Sequence, residues 1–498
     1  MKKQFFFFFL CLLMGISLEG QITPIQQVPL VSGTITVPPQ YQAAFGQSRT
    51  LQMPQGFRAK VFYAGNLLSK GRFMAWRPDS VLHIANKTGG TILALPDRNR
   101  DGVADTAYIA ASNLSGAHDV KFYRGAMYVA LQRQVIKLTD GNSDGVYETR
   151  SVFIDNIASG ATQPGGGHDT RTIIFDDRNQ KVYLSIGSLC NACRETARAI
   201  IEEYDINGGN RRVYASGIRN AVGMTLHPVT NRLWANNNGN DNQGNDVPPE
   251  WIDQIRDGGF YGYPFVHSHQ QWFNFNAAAD YRALLPITAT DSALVRRQIA
   301  PAALIQAHSA PMALSFSNAS FPPQYRAGLW TVLRGSWNRT PPTGYKLIYL
   351  DFTDAQDTTA NFVTDVVTGI FNGSSTWGRP VGLALDLRGN LYLGIDDGVQ
   401  SILSISTQTS TDISTPSETL DFDLSPNPSS DILRLTFPKM AVYKNAQIDI
   451  FDASGKLVFT EGVFQTEKIV SIKNFAVGIY QLRLTIGTSF GIKQFVKQ

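Results

Sequence analysis

The sequence predicts an all-β protein, a six-bladed β-propeller followed by a small C-terminal β-sandwich. Three observations carry that prediction: a strand–turn–strand phrase that recurs six times, a composition break after the sixth copy, and a tail of short alternating strands. The 498 residues exceed one small module, and 43% hydrophobic against 17% charged residues excludes global disorder. Aromatic residues at 11% suit strands, and 43 glycines with 24 prolines make the chain turn-rich. A net charge of +4 is not the clustered basic excess of a nucleic-acid binder.

Residues 1–20 read as a secretory signal. Lys2 and Lys3 precede an apolar run from Phe5 to Ile16, and small residues follow, with cleavage expected near Gly20–Gln21. The run is too short to span a bilayer, and no later stretch comes near the length of a span, so no stable membrane span is expected. Residues 21–49 form an N-terminal extension. After cleavage only Cys190 and Cys193 remain, and an oxidising compartment favours their pairing as a disulfide. Arg194 follows Cys193 where covalent haem attachment needs a histidine.

The propeller is placed at residues 50–405. Its repeats are Met74–Ser80 into Val81–Ala85, Val120–Phe122 into Met127–Ala130, Ile173–Phe175 into Val182–Ser185, Met224–Leu226 into Leu233–Ala235, Leu314–Phe316 into Leu329–Val332, and Leu383–Leu385 into Leu391–Gly394. A lone sheet cannot bury both faces, so repeated sheets stack around an axis. A β-sandwich of chance hairpins is the alternative, and it rarely needs this many residues. The gap at 265–310 predicts an insertion with a helix around Asp291–Ile299. Residues 406–419 are rich in Ser and Thr and read as a linker. In the remainder, 420–498, strands are expected at Ile432–Phe437, Ala446–Phe451, Lys456–Thr460 and Ile479–Ile486.

Several motifs carry chemistry. Gly165-Gly166-Gly167-His168 places a histidine, a general base near neutral pH, where the backbone can approach something flat; a structural histidine is the plain alternative. Arg219, in Ser216–Asn220, could face a developing oxyanion or close an inter-blade ion pair. The run Asn236–Asp241, continuing to Glu250, is dense in oxygen donors and lacks soft ligands, which suits calcium or an ordinary loop. Asp97, Asn99, Asp101, Gly102 and Asp105 repeat the spacing of Asp140, Asn142, Asp144, Gly145 and Glu148. Both resemble a calcium loop without its closing Glu, and Asx-rich turns between blades are the simpler reading.

In order, Met53–Phe57, Gly167–Arg171, Gly187–Asn191, Gly217–Asn220, Asn238–Asp241, Pro248–Glu250, Gly335–Arg339 and Gly378–Val381 resemble the glucose/sorbosone dehydrogenase family, nearest its sorbosone and pyranose dehydrogenase branch. The resemblance covers roughly residues 50–405 and implies a propeller using pyrroloquinoline quinone (PQQ) and calcium. It implies His168 as the base and Arg219 with Asn220 at the quinone oxygens. Carbonyls of Gly239 and Asn240 would bind calcium, with Asn238 close by and Asp241 in the same metal loop. Arg339, Arg379 and, more weakly, Lys346 would meet the cofactor carboxylates. Asn240 departs from the glucose-oxidising branch, which has Pro there.

In the tail, Leu424–Pro428, Ile450–Lys456, Val477–Tyr480 and Lys493–Lys497 resemble a type A sorting domain of type IX secretion. That implies the secretion machinery as partner and an extracellular or cell-surface destination. A small carbohydrate-binding sandwich is the alternative, and it should show exposed aromatics. The whole reads as a secreted PQQ- and calcium-dependent dehydrogenase acting on a sugar or sugar-derived alcohol or aldehyde, handing electrons to an unknown external acceptor. The alternatives are a calcium-dependent, lactonase-like propeller hydrolase, which would need acidic calcium ligands and no arginine cluster, and a non-catalytic carbohydrate-binding propeller.

Overall fold

The computed structural model of the chain describes residues 22–158, 167–407, 422–436, 446–452, 457–463, 467–486 and 489–498. The expected signal segment, Gly165, Gly166 and most of the linker lie outside them. The chain divides into two compact units, Met1–Thr409 and Ser410–Gln498. Among the described residues no helix is long and apolar enough to cross a membrane.

The first unit is mostly β and contains, among the described residues, six sheets of four or five strands. Each recurring phrase is an antiparallel pair. The inner strands are Gly71–Trp76, Asp119–Tyr123, Ile173–Asp176, Met224–Leu226, Pro311–Phe316 and Gly378–Leu385. In each case the partner is the next strand in sequence. At one turn Arg124 and Gly125 both take positive φ, 46° and 78°, the pattern that matches strand twist in a two-residue hairpin. Each inner strand contacts the next, and Gly378–Leu385 contacts Gly71–Trp76, so the contacts form a closed cycle.

Second strands explain why the sheets stack. Leu82–Asn86, Ala126–Ala130, Leu233–Asn237 and Leu329–Leu333 are buried at every position, not at alternate ones. A strand buried on both faces lies in a sheet covered on both sides, whereas a two-layer sandwich would alternate. The last sheet is completed by Arg58–Tyr63 from the start of the chain, paired with Ser401–Ser406.

The extension packs into this unit. Ile25–Gln26 runs parallel to Phe362–Val367, and Ile35, Tyr41 and Phe45 are buried in its core. In the insertion, helix Ala289–Val295 starts earlier than expected because Thr288 caps it reciprocally with Asp291. The two Asp-rich loops were expected between sheets. Instead each joins the third and outer strands of one sheet, after Thr91–Leu95 and after Val135–Thr139. Their leading carboxylates accept backbone N–H groups, Asp97 from Gly102 at 3.0 Å and Asp140 from Gly145 at 2.8 Å, as Asx-turns do.

The second unit has a three-stranded sheet (Asp423–Ser425, Ile432–Thr436, Glu467–Ser471) and a four-stranded one (Leu457–Val463, Ala446–Asp452, Gly478–Ile486, Ser489–Lys497). Leu433, Ile448, Leu482 and Phe495 share one core. Its exposed large hydrophobic residues, among those described, are all aliphatic, which disfavours a sugar-binding aromatic face.

Candidate active site

A cleft of about 630 Å³ in the first unit is lined from the ends of several strands, by residues that include His168, Arg219, Asp241, Arg334, Arg379 and Asp396. His168 follows Gly167, whose φ of +91° turns the chain just ahead of the third inner strand. Its N–H donates to the Ser188 carbonyl at 2.8 Å. Its Nδ1 lies 3.0 Å from both the carbonyl and the hydroxyl of Ser188, and that hydroxyl donates to the Cys190 carbonyl at 2.7 Å. The network therefore assigns the ring proton to Nδ1, directed at the Ser188 carbonyl, and leaves Nε2 with its lone pair. Burial first, then Arg219, pushes the imidazole down to about 3, so it is neutral across the physiological range.

The support beneath the ring is close-fitting. A Cβ on Gly187 would come 2.5 Å from both His168 Cβ and Asn220 Oδ1, so only glycine fits there. Two buried arginines hold the adjoining backbone: Arg171 donates to the His168 carbonyl at 2.9 Å, and Arg198 to the same carbonyl at 2.8 Å.

Facing this side is the Asn-rich loop. Arg219 donates to the Gly239 carbonyl at 2.6 Å and lies 3.1 Å from the Asp241 carboxylate. Asn220 and Asn238 are joined through the backbone at 3.0 Å. Glu250, buried in the cleft wall, accepts the N–H groups of Gly239 and Ala310, and burial lifts its carboxyl to about 7. Asn240 is buried away from the cleft surface, its Nδ2 donating to the Asn191 carbonyl at 2.6 Å. Asn338 donates to Asp241 at 2.8 Å, while its own Oδ1 is buried without a partner among the described residues. Gly239 O, the Asp241 carboxylate and the orphaned Asn338 Oδ1 make an all-oxygen donor set, the chemistry of a hard divalent cation.

Two expected cofactor residues stand elsewhere. Lys346, at the start of Lys346–Asp351, pairs with Asp365 of the neighbouring strand at 2.7 Å, and Arg339 pairs with Asp246 at 2.8 Å; neither lines the cleft. Arg379 does, stacked 5.1 Å over Tyr345 and bonded to the Gly335 carbonyl at 3.0 Å. The cleft cations that sequence reasoning missed are Lys70, Lys87, Arg334, which lies 3.2 Å from Asp396, and buried Arg72, which binds Asp396 and the Nδ1 of His118. Cys190 and Cys193 are disulfide-bonded.

A profile of the TrAA12-like family matches residues 51–406, and one of the secretion system C-terminal sorting domain matches 423–498. An uncharacterised protein of Borreliella burgdorferi is 25% identical over 359 residues, 70% of this chain and 89% of that one. A PQQ-dependent pyranose dehydrogenase of Coprinopsis cinerea is 27% identical over 262 residues, 44% of this chain and 32% of that enzyme, so the chain spans about a third of it. The fold is similar to a calcium structure of a Trichoderma reesei carbohydrate-active enzyme of family AA12 (TM-score 0.59, 20% identity, 72% of this chain and 96% of that one). It is also similar to the holo PQQ domain of the Coprinopsis cinerea pyranose dehydrogenase (TM-score 0.58, 20% identity, 75% and 99%). The chain belongs to the TrAA12-like family and carries a secretion system C-terminal sorting domain in its second unit.

Proposed function

We propose that this protein is an exported PQQ- and calcium-dependent dehydrogenase of a sugar or sugar-derived alcohol or aldehyde, built on a six-bladed propeller. The closed cycle of six inner strands supports the architecture. The observation that carries the chemistry is His168, neutral and with its proton fixed on Nδ1, sharing one cleft with Arg219, Arg334, Arg379 and an oxygen-donor loop. PQQ, when bound, supplies a two-electron acceptor carrying three carboxylates. Arg334 and Arg379 would hold its carboxylates, and Arg219 with Asn220 would stand at the oxygens that gain charge. Calcium would be held by Gly239 O and Asp241, with Asn338 Oδ1 beside them; a cation there competes with Arg219 for the Gly239 carbonyl. His168 Nε2 accepts the substrate hydroxyl proton, and the resulting imidazolium keeps its Nδ1–H on the Ser188 carbonyl. Trp337, 76% exposed at the cleft edge, offers an apolar face to a sugar ring.

The arginines in the cleft disfavour the lactonase-like alternative, whose calcium would want carboxylates facing the channel without guanidinium neighbours. Titration of PQQ and calcium into the purified protein, followed by absorbance and by dye reduction across a sugar panel, tests the reading. Calcium-dependent PQQ binding with sugar-dependent dye reduction is expected. Full sugar oxidation in a chelated, calcium-free sample removes the metal from the mechanism, and no PQQ binding at all removes the cofactor.

A further inference from the structure

Residues 190–193 form a four-residue loop closed by the Cys190–Cys193 disulfide, and Asn191 at its tip bonds to almost everything at the metal end of the cleft. Its Oδ1 accepts from the Asp241 N–H at 2.7 Å and from Arg219 Nη2 at 3.2 Å. Its Nδ2 donates to the Asp241 carbonyl at 3.2 Å and to the Asp280 carboxylate at 2.6 Å. Its main-chain carbonyl accepts from Asn240 Nδ2 at 2.6 Å and from Arg219 Nε at 3.3 Å. Every donor and acceptor of the amide is used, which fixes its flip. Asp280 lies on the short helix Ala279–Arg282 of the insertion, and the next residue, Tyr281, donates to the Asp241 carbonyl at 2.7 Å. The other end of the loop meets the base, since the Cys190 carbonyl accepts the Ser188 hydroxyl that lies 3.0 Å from His168 Nδ1.

A residue with six such contacts, four through its amide and two through its main-chain carbonyl, sets the Asn240 side chain, the Asp241 backbone and the plane of the Arg219 guanidinium before any ligand arrives. That is the work of groups just behind metal ligands, which hold them in a productive orientation. The disulfide removes the freedom the loop would otherwise lose on holding that amide in place. We propose that Asn191 is a positioning residue for the cation and quinone end of the cleft, and that the Cys190–Cys193 disulfide holds it in register. The identity of the ligands rests on the function proposed above; the placement of Asn191 does not.

The test uses full-length mature protein and the variants Asn191→Ala, N191D, N191D/D280N and C190S/C193S. N191D sets two carboxylates 2.6 Å apart, and N191D/D280N reverses the donor so that the hydrogen bond returns. Calorimetry with calcium at saturating PQQ should show affinity falling about 10–100-fold in Asn191→Ala and N191D, in line with losses behind other metal sites. N191D/D280N should recover most of that loss, a rescue that general loosening of the fold would not give. C190S/C193S should weaken calcium in the same direction by a smaller factor. With metal and cofactor saturating, the KM for sugar should stay near wild type, since Asn191 does not line the cleft. Amide hydrogen exchange over residues 238–242, without ligands, should quicken in Asn191→Ala and C190S/C193S. Wild-type exchange and calcium affinity in Asn191→Ala overturn the proposal, as does N191D/D280N binding no better than N191D. Should Asn191→Ala not fold, the N191D pair decides. If the wild type binds neither calcium nor PQQ, the proposed function fails, and unchanged exchange in C190S/C193S and N191D is then the result that overturns the placement.

Discussion

Replacing His168 with alanine removes one ring and little else. The Ser188 hydroxyl keeps its bond to the Cys190 carbonyl, and the Ser188 carbonyl keeps the backbone N–H of residue 168 and Arg198 Nη2 at 3.1 Å. The lost ring contact is one hydrogen bond, about 1 kcal/mol of stability, so the variant should fold and bind PQQ. Losing a positioned base should slow the chemical step by about two to four decades. That is about 2.7–5.4 kcal/mol on the barrier. Stopped-flow reduction of the PQQ-loaded variant by sugar, against separately measured PQQ occupancy, isolates that step. The wild-type pH profile adds a signed check. Burial lowers the folded pKa of His168 to about 3, below the ordinary 6.5. Its base form therefore persists as pH falls through 6, and the stability linked to that neutral form, complete above 6.5, is lost progressively as pH falls from 6.5 to about 3. A wild-type rate in His168→Ala refutes the assignment. An acid limb at the ordinary histidine value in the wild type refutes the electrostatic account.

Arg334→Ala should weaken PQQ about tenfold or more, the range for a charge-assisted bond, whereas Lys346→Ala, paired outside the cleft, should leave PQQ affinity unchanged in the same titration. Gly223→Ala should lower the urea midpoint by the equivalent of roughly 1–3 kcal/mol, because its Cβ would meet the Met312 carbonyl at 2.1 Å between two inner strands. Deleting residues 420–498 should leave a soluble, PQQ-binding first unit and block export, read by cell fractionation and by intact mass of the secreted protein. Export of the truncated chain at wild-type level would contradict the sorting role.

The inner hairpins were legible because all but the fifth, whose connection is longer, combine an apolar strand, a strong turn signal and a second apolar strand within about a dozen residues. Outer strands were not. Thr149–Ile154 is exposed over its first four positions, so it shows no apolar period, and its place in the sheet comes from pairing with Val135–Thr139. The same blindness put the Asp-rich loops between sheets. In the site, His168, Arg219 and Asp241 sit in runs with local texture, and they converge on one cleft. Arg72, Arg334 and Asp396 are single residues at strand ends, far apart in sequence and ordinary in context, so only the closed cycle of strands brings them together. Lys346 was only a weaker implication of the family resemblance, and cross-strand pairing gives it to Asp365. Asn191 was read as part of a motif, with no hint that its amide joins the metal loop to the insertion.

The seam between Arg58–Tyr63 and Ser401–Ser406 sets a timetable for the newborn chain. Val61 lies opposite Leu403, so almost the whole first unit must leave the ribosome before its last sheet can be completed. Until then Arg58–Tyr63 waits without its partner strand, an unpaired edge of the kind that recruits strands from other chains. Closing so large a loop makes folding slow, since the entropy is lost before the contacts form. Once zipped, the cycle must tear at a sheet to open, and local fraying at either terminus does not start that tear. Resistance to proteases outside the cell would then be governed by the rate of breaking this seam more than by the equilibrium free energy of the fold.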